Sequence, residues 1–374
     1  MERISEEKHT KSEKNYLTIE KIPSFATKSY LLRDLLSKVS RSFYLTLAVL
    51  PISVRDQIGL AYLFARAADT IADTDLIPKF QRLTYLRKFR ELFSEDTINW
   101  AAINSIQFGL ISHQALPEEK ILLEKLEDCF QLYLKFKPAD RAHIQHLMTT
   151  LTKGMEMDLT MFVNGSATHP QSLKTFKELD LYTYYVAGCV GEFWTNIMCA
   201  HCPSLANWDI EKMSAIGIRF GKGLQLTNII KDIAKDLNQG RCYIPEELLV
   251  SVGLTTESLL QPEAHLTLQP VLIQLIRQAM EHLDHGWYYA MAIPYSEIRL
   301  RLACMWPILL GGETLKLLQK SPNIMHLYRP IKITRSCVYR VIGLTTVTAG
   351  SNLIGTTYWK SIRRAINRNM DLTN

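Results

Sequence analysis

The chain has 374 residues, 47% of them hydrophobic, and a net charge of +6 from 43 Lys and Arg against 37 Asp and Glu. A mostly disordered protein is excluded, because this many apolar side chains suffice for a large core in one or two domains. The mild positive charge argues against a dedicated nucleic-acid binder, so we expect no nucleic-acid partner. An anionic small ligand or an anionic membrane surface is compatible with it.

The cysteines and the apolar segments indicate the cellular location of the protein. The seven cysteines are odd in number and lie mostly in apolar, helix-like surroundings, and the first residues do not resemble a signal peptide. No run of eighteen apolar residues exists, so no segment is predicted to span a bilayer. We expect a cytoplasmic protein, free or peripherally attached to a membrane, that is a monomer or a weak oligomer.

In chain order, residues 1–25 are predicted to form a frayed tail, because charges alternate there without a sustained apolar stripe. The following segments place apolar residues at helical spacing, as in 118–135 and 271–292, and strand alternation is scarce. Polar breakers separate the segments, among them 261–270. The pattern predicts an all-α protein, with one folded body over 26–325.

The last part of the chain, 326–374, is predicted to be a C-terminal extension. Its segment YWKSIRRAINRNM, 358–370, has helical spacing and a strong excess of basic residues. Two interpretations are open for this segment: an amphipathic helix that contacts an anionic membrane, or a solvated helix end.

Two DxxxD motifs lie 163 positions apart: Asp69 with Asp73 in DTIAD, and Asp232 with Asp236 in DIAKD. Residues i and i+4 of a helix share one face, so each motif should present two carboxylates to one point. A solvated face or local salt bridges would explain a lone motif. Both motifs, however, follow apolar helical sequence, where uncompensated carboxylates would be destabilising by several kcal/mol each.

Divalent cations would remove this penalty. Mg²⁺ is commonly held by one or two carboxylates, with substrate phosphates and water completing its coordination, so two facing motifs predict a metal and phosphate clamp. Arg66 precedes the first motif by one turn, Lys231 adjoins the second, and Arg241 follows it. Arginine suits bidentate phosphate binding, although structural salt bridging is the alternative for each cation.

Four segments stand in this order along the chain: SRSFYLTLAVLP (40–51), AYLFARAADTIADT (61–74), LYTYYVAGCVGEFW (181–194) and LQLTNIIKDIAKDLNQGRCYIPEE (224–247). Together they resemble the squalene/phytoene synthase family, whose members join two prenyl diphosphates head to head. The resemblance covers about 30–320. It implies the all-α isoprenoid synthase bundle, with a catalytic domain over 26–325 and both acidic motifs at the mouth of an apolar cavity.

The same resemblance implies roles for individual residues. The magnesium ligands would be Asp69, Asp73, Asn228, Asp232 and Asp236. The catalytic set would be Tyr182, Arg66, Asp69, Asp73, Asp232 and Asp236. The prenyl diphosphate substrate would contact Ser40, Arg41, Ser42, Phe43, Tyr62, Arg66, Val186, Ala187, Gly191, Gln225, Asn228, Lys231, Arg241 and Tyr243.

Tyr182 resembles the family tyrosine that faces the reacting carbons, where an aromatic ring can stabilise a carbocation and a phenol can assist proton transfer. A satisfied core tyrosine is the alternative for this position. Gly191 resembles a residue that leaves room for an isoprenoid chain, and close helix packing explains it equally well. Lys231 stands where arginine is common in the family, which keeps the charge and loses the bidentate geometry.

The resemblance implies that two farnesyl diphosphates form presqualene diphosphate, which NADPH then reduces to squalene. Residues 154–162, 186–194 and 299–315 are more similar to squalene-forming than to phytoene-forming members. NADPH is the weaker inference, because no GxGxxG motif follows a predicted strand. A phytoene or dehydrosqualene synthase without a reductant is the main alternative, and a terpene cyclase or a non-catalytic prenyl diphosphate carrier are further ones.

Overall fold

The computed structural model describes residues 25–40, 43–94, 97–261, 263–321, 324–325 and 331–371. The predicted tail up to residue 24, and the predicted substrate residues Arg41 and Ser42, lie outside this range. The described chain is almost entirely helical, which confirms the all-α prediction.

The first part of the bundle, up to the loop before β1, contains nine of the described helices. They are α1 (Phe25–Ser29), α2 (Leu36–Ser40), α3 (Tyr44–Val49), α4 (Ile52–Asp73), α5 (Lys79–Glu91), α6 (Trp100–Leu110), α7 (Pro117–Glu124), α8 (Leu126–Leu134) and α9 (Pro138–Met161). The second part follows the short strand β1 (Gln171–Ser172), which pairs in parallel with β2 (Arg241–Cys242). Its helices are α10 (Phe176–Thr183), α11 (Cys189–His201), α12 (Ile210–Asn238), α13 (Glu246–Ser251), α14 (Ala264–Ala292), α15 (Ile298–Gln319), α16 (Arg335–Thr348) and α17 (Asn352–Asp371).

Two predicted helix boundaries are wrong. The segment 118–135 is two helices, because Lys125 (φ −97°, ψ 9°) leaves the helical conformation between α7 and α8, which both pack on α4. The predicted breaker over 261–270 is shorter than expected, because α14 begins at Ala264 and contains Pro270. Burial of Ala264 and Leu268 on one face of α14 fixes its first turns despite the missing proline N–H.

Helix α12 lies at the centre of the bundle, where it packs against α11, α14 and α15. Its N-terminus is capped by Asp209, whose side chain accepts a hydrogen bond from the Lys212 amide at 3.1 Å. Its C-terminus is followed by Gly240, whose φ of +78° suits glycine. This turn leads directly into β2, so that the strand returns beside the end of the helix.

The crossing of α11 and α12 is unusually close. A Cβ atom added to Gly217 would lie 2.7 Å from the carbonyl oxygen of Gly191, so the two backbones are nearly in contact there. The π-helical turn Tyr184–Gly188, which leads into α11, is held against α12 by this crossing. Small residues on both helices therefore bring the turn to the wall of the central cavity.

Helix α4 separates an aromatic core from the cavity. On one side Phe64 contacts the rings of Phe89, Phe93, Phe130 and Tyr133, at centroid distances of 4.7 to 6.4 Å. Phe64 itself is fully buried. The opposite side of α4 carries the first acidic motif, so the aromatic core fixes the position of that motif.

The C-terminal helices α16 and α17 pack on α15, and α17 also contacts α14. Trp359 stacks on Trp287 with a centroid distance of 5.9 Å, and its indole N–H donates to Asp284 at 2.8 Å. The phenol of Tyr358 donates to Glu313 at 3.0 Å. Among the described helices, none combines the length and apolar character needed to cross a bilayer.

Candidate active site

A cavity of about 580 Å³ lies between α4, α9, α12 and the π-helical turn before α11. Most of the predicted site residues line it, although they come from distant parts of the chain. Those residues are Phe43, Tyr62, Asp69, Asp73, Tyr182, Val186, Ala187, Gln225, Asn228, Asp232, Asp236, Arg241 and Tyr243.

The first wall of the mouth is the end of α4, with Asp69 and Asp73 one turn apart. Burial, and then the charge of Asp73, raise the pKa of Asp69 to about 7. The side chain of Asp69 is still 46% exposed, because it faces the open cavity while protein surrounds its other sides. Arg66 lies 3.7 Å from Asp69 and also pairs with Glu119, so its charge is shared.

The second wall is α12, which presents Gln225, Asn228, Asp232 and Asp236 to the same cavity. Burial, and then the charge of Asp232, raise the pKa of Asp236 to about 7. Lys231 turns back along the helix, where its ammonium lies 3.2 Å from Asp232 and donates to Asn228 at 3.2 Å. Each wall therefore carries a carboxylate that is crowded by its neighbour.

Arg241 bridges the mouth from the short strand β2. Its guanidinium lies 3.8 Å from Asp73 on α4 and 3.7 Å from Asp158 on α9. Burial lowers the pKa of Arg241, but Tyr243, Asp158 and Asp73 raise it by more. A permanently charged guanidinium thus stands beside the acidic mouth, where it suits a phosphate oxygen.

Asp158 is a site residue that the sequence reasoning missed. It lines the cavity and accepts hydrogen bonds from Tyr182 at 3.2 Å and from Tyr243 at 3.0 Å. Burial raises its pKa to about 6, while Arg241 and the two phenols oppose the rise. The available signal was a lone carboxylate in the helical stretch GMEMDL, without the i, i+4 partner that identified the DxxxD motifs.

Tyr182 and Tyr243 form an aromatic wall beside this carboxylate. Their rings stack with a centroid distance of 4.8 Å and an interplanar angle of 23°. Burial, followed by the charge of Asp158, raises both pKa values well above the usual value for tyrosine, so both phenols are neutral. Across the cavity, Phe43 and Tyr62 stack with a centroid distance of 5.6 Å.

Four predicted residues lie outside the lining of the main cavity. The hydroxyl of Ser40 is buried and donates to the Leu36 carbonyl at 2.5 Å. Arg66 and Lys231 pair with acidic side chains, as described above. Gly191 lines a second, apolar cavity of about 170 Å³ instead.

The second cavity adjoins the first one and forms its apolar end, which we call the depth. Phe43, Ala187, Trp194 and Leu224 line both. Gly191 is therefore part of close helix packing and of the apolar lining at once. Together the two cavities run from a charged mouth to a depth lined by small and aromatic side chains.

The residues at the mouth fit Mg²⁺ by their chemistry. Their donors are carboxylate and amide oxygens, and burial followed by the charge of a neighbouring carboxylate raises the pKa of Asp69 and of Asp236, a cost of ionisation that a bound cation would offset. Within the described residues, no three Asp, Glu, His or Cys side chains enclose an ion by themselves. An ion held here would therefore share its coordination with a ligand or water.

Comparisons with known proteins identify the family of this chain. The family model described as squalene/phytoene synthase matches residues 36–337. Squalene synthase ERG9 of Gibberella zeae is 26% identical over 307 residues, which are 82% of this chain and 62% of the relative. Lycopaoctaene synthase of Botryococcus braunii is 24% identical over 316 residues, which are 84% of this chain and 65% of the relative. The chain thus spans less than two thirds of the length of these relatives.

Solved structures share the fold. A complex of TcSQS with a ligand has a TM-score of 0.71 and 22% identity, and the match covers 93% of this chain and 99% of that one. A dehydrosqualene synthase complex has a TM-score of 0.58 and 20% identity, with 87% of this chain and 97% of that one covered.

Proposed function

The chain belongs to the squalene/phytoene synthase family, and on that premise we propose that it joins two farnesyl diphosphates head to head and reduces the intermediate to squalene. The family consists of prenyltransferases for head-to-head isoprenoid condensation. The observation that carries the proposal is the pair of acidic walls, Asp69 with Asp73 and Asp232 with Asp236, which line one cavity with an apolar depth.

The mouth would hold the diphosphates. Asp69, Asp73, Asn228, Asp232 and Asp236 would hold Mg²⁺, which when bound neutralises a diphosphate and makes it a better leaving group. Arg241 would contact the phosphate oxygens directly, and Lys235, which also lines the cavity, adds a second cation. Arg241 and Lys235 line the cavity without substrate, so they would stabilise the leaving group as its charge develops.

The aromatic wall of Tyr182 and Tyr243 would stabilise the carbocations formed during the reaction. Ionisation of one allylic diphosphate gives a cation, which the double bond of the second substrate attacks, and loss of a proton gives the cyclopropyl intermediate presqualene diphosphate. The neutral rings of Tyr182 and Tyr243 can stabilise the cationic stages through their π faces. The apolar depth keeps water away from the cations.

The need for a reductant distinguishes squalene formation from the main alternative. Squalene formation needs hydride from NADPH, and among the described residues the strands form one two-stranded sheet rather than a Rossmann unit. NADPH would therefore need a site of another kind. A dehydrosqualene or phytoene synthase, which needs no reductant, is the second candidate function, and the fold shared with a dehydrosqualene synthase supports it.

One experiment tests both. The purified protein is incubated with farnesyl diphosphate and Mg²⁺, with and without NADPH, and the hydrocarbon is identified by mass spectrometry. We expect squalene only when NADPH is present. Dehydrosqualene under both conditions would replace the first proposal with the second, a cyclic terpene would indicate a cyclase, and inertness toward every prenyl diphosphate would favour a carrier.

We also propose that the helical hairpin of α16 and α17 rests on an anionic membrane surface. Residues 331–370 contain seven Lys and Arg and no Asp or Glu. Large apolar side chains are exposed near the turn between the helices, with Val347 at 86%, Leu353 at 77% and Ile354 at 46% exposure. An apolar tip beside a basic surface suits the interface of a bilayer with negatively charged lipids.

Vesicle sedimentation tests this contact. We expect the protein to sediment with phosphatidylserine vesicles at low salt and to stay in solution with neutral vesicles. The double variant Val347→Ser and Leu353→Ser should weaken sedimentation without changing turnover in detergent. Equal sedimentation of the wild type with neutral and anionic vesicles would exclude the proposed role of the basic residues.

A further inference from the structure

We propose that Asp158 is a positioning residue that couples the diphosphate end of the cavity to its aromatic wall, an inference that rests on the proposed function. Asp158 lies near the end of α9, whereas its three partners come from other segments. Its one carboxylate meets the guanidinium of Arg241 and the hydroxyls of Tyr182 and Tyr243. No other described residue in the cavity lining joins these three groups by the hydrogen bonds and ion pairs seen here.

Asp158 acts on the two tyrosines in two ways: it orients their rings, and it polarises their phenols. Both phenols donate to the same carboxylate, at 3.2 Å from Tyr182 and 3.0 Å from Tyr243, so the two rings are held in their parallel stack. Tyr182 comes from α10 and Tyr243 follows β2; the pairing of β1 with β2 brings the two segments together, and the shared carboxylate orients the two phenols. A phenol that donates to a carboxylate is also polarised, which strengthens the attraction of its ring for a cation.

The charged side of the coupling concerns Arg241. Its distances of 3.8 Å to Asp73 and 3.7 Å to Asp158 are both longer than a hydrogen bond, so the guanidinium is retained at the mouth but not locked. Asp158 attracts it from inside the cavity and Asp73 from the rim. Without Asp158, the guanidinium would be drawn toward Asp73, where it would compete with a metal ion for that carboxylate.

A purely structural role is the alternative, and the same helix offers the matched control. Asp140, also on α9, is 3% exposed and bonds His201 at 2.7 Å and Gln57 at 3.2 Å, but it does not line the cavity. Both aspartates thus hold buried polar networks, and only Asp158 of the two faces the proposed substrates. Comparing their asparagine variants separates positioning from folding.

The test is steady-state kinetics on Asp158→Asn, which keeps the shape and removes the charge. We expect kcat with farnesyl diphosphate to fall by about 10- to 100-fold, the loss typical of a charged hydrogen bond, while KM changes much less. Asp158→Glu, which keeps the charge, should recover part of kcat. Asp140→Asn should lower the melting temperature without lowering kcat of the folded enzyme.

Variants of the two tyrosines that donate to Asp158 measure the same coupling independently. Tyr182→Phe and Tyr243→Phe remove the hydrogen bonds from the other side, so they remain informative if Asp158→Asn does not fold. We expect the loss in the double variant Asp158→Asn and Tyr243→Phe to be smaller than the product of the single losses, because both remove one interaction. Unchanged kcat in Asp158→Asn, or multiplicative losses, would overturn the inference.

Failure of the proposed function can be told apart from failure of this inference. Near-ultraviolet circular dichroism of the substrate-free protein needs no turnover, and we expect Asp158→Asn to change the tyrosine signal, whereas Asp140→Asn should leave it unchanged. If the wild type is inert toward prenyl diphosphates but this change occurs, the proposed function fails and the positioning contact stands. An unaltered tyrosine signal in Asp158→Asn overturns the positioning contact whatever the substrate.

Discussion

The mouth and the depth of the cavity differ in polarity: the mouth is lined by charged side chains and the depth by apolar ones. At the mouth, burial and then the charge of the neighbouring carboxylate in the same motif raise the pKa of Asp69 on α4 and of Asp236 on α12 to about 7. In the depth, Gly191 and Ala303 lie on packed helices, and the lining of the cavity is almost entirely apolar. Ionisation of the mouth carboxylates is therefore unfavourable, a cost that a bound cation would offset, whereas the depth stabilises the fold by packing alone.

This difference predicts that substitutions in the two regions act in different ways. A neutral side chain at the mouth should remove activity and relieve repulsion. A larger side chain in the depth should change which substrate fits while leaving the chemistry intact.

The largest expected effect is at the mouth. Asp69→Ala and Asp232→Ala, made separately, should each reduce turnover of farnesyl diphosphate to below about 1% of the wild-type rate, because each removes a charge proposed to hold Mg²⁺. The far-ultraviolet circular dichroism should keep its helical signal.

Each of these variants has a matched control on its own helix. Asp56 on α4 pairs with Lys28 on the surface, and Asp209 caps α12, both away from the cavity. Asp56→Asn and Asp209→Asn should keep wild-type rates. Wild-type rates in Asp69→Ala or Asp232→Ala as well would reject the assignment of the acidic walls.

A smaller effect is expected in the depth. Ala303, on α15, is 1% exposed and lines the apolar cavity of about 170 Å³. Ala303→Leu should fill part of this space and lower kcat/KM for farnesyl diphosphate relative to geranyl diphosphate by about tenfold. The measurement is a competition between the two substrates, with Ala303→Ser as a control of similar volume. An unchanged preference would place the isoprenoid chain elsewhere.

The smallest expected effect concerns stability and pH at the mouth. The folded pKa of about 7 for Asp69 and Asp236 lies above the value of an unfolded aspartate, so the folded state binds more protons between about pH 4 and 7. The contribution of these groups to stability therefore falls as pH rises through this window. Asp69→Asn should raise the melting temperature of the metal-free protein at pH 8, by on the order of 1 °C because the site is half exposed.

Differential scanning calorimetry without metal, at pH 5 and pH 8, measures this effect. The difference between wild type and Asp69→Asn should be small at pH 5 and larger at pH 8, and Mg²⁺ should reduce it. His282 has its pKa lowered to about 4, first by burial and then by Arg219, and works in the opposite direction in both proteins. A larger difference at pH 5 than at pH 8 would show that the carboxylates do not repel one another as inferred.

Much of the site could be predicted because helical periodicity is local. The spacing of four between Asp69 and Asp73, and between Asp232 and Asp236, is enough to put each pair on one helix face. The small residues at 187 and 191 likewise indicated either close packing or an apolar lining, and Gly191 serves both. The roles of the individual residues stay predictions until the kinetic experiments are done.

Other features could not be predicted because they depend on contacts between distant segments. Asp158 is a single carboxylate in a helix, and nothing within its own turn shows that Tyr182, Arg241 and Tyr243 converge on it. The break at Lys125 and the helix through Pro270 follow from how α7, α8 and α14 pack on their neighbours, which outweighs local preference.

The amino-acid sequence by itself determined the helical class and the acidic pairs, since periodicity and motif spacing are local properties of one chain, and the resemblance of four segments indicated the family. The tertiary structure decided which groups meet: it set Arg241 between Asp73 and Asp158, and joined a charged mouth to an apolar depth. Ion pairs and hydrogen bonds form between groups a few ångströms apart, whatever their separation along the chain. Only the packed bundle could therefore show which charged and polar groups meet.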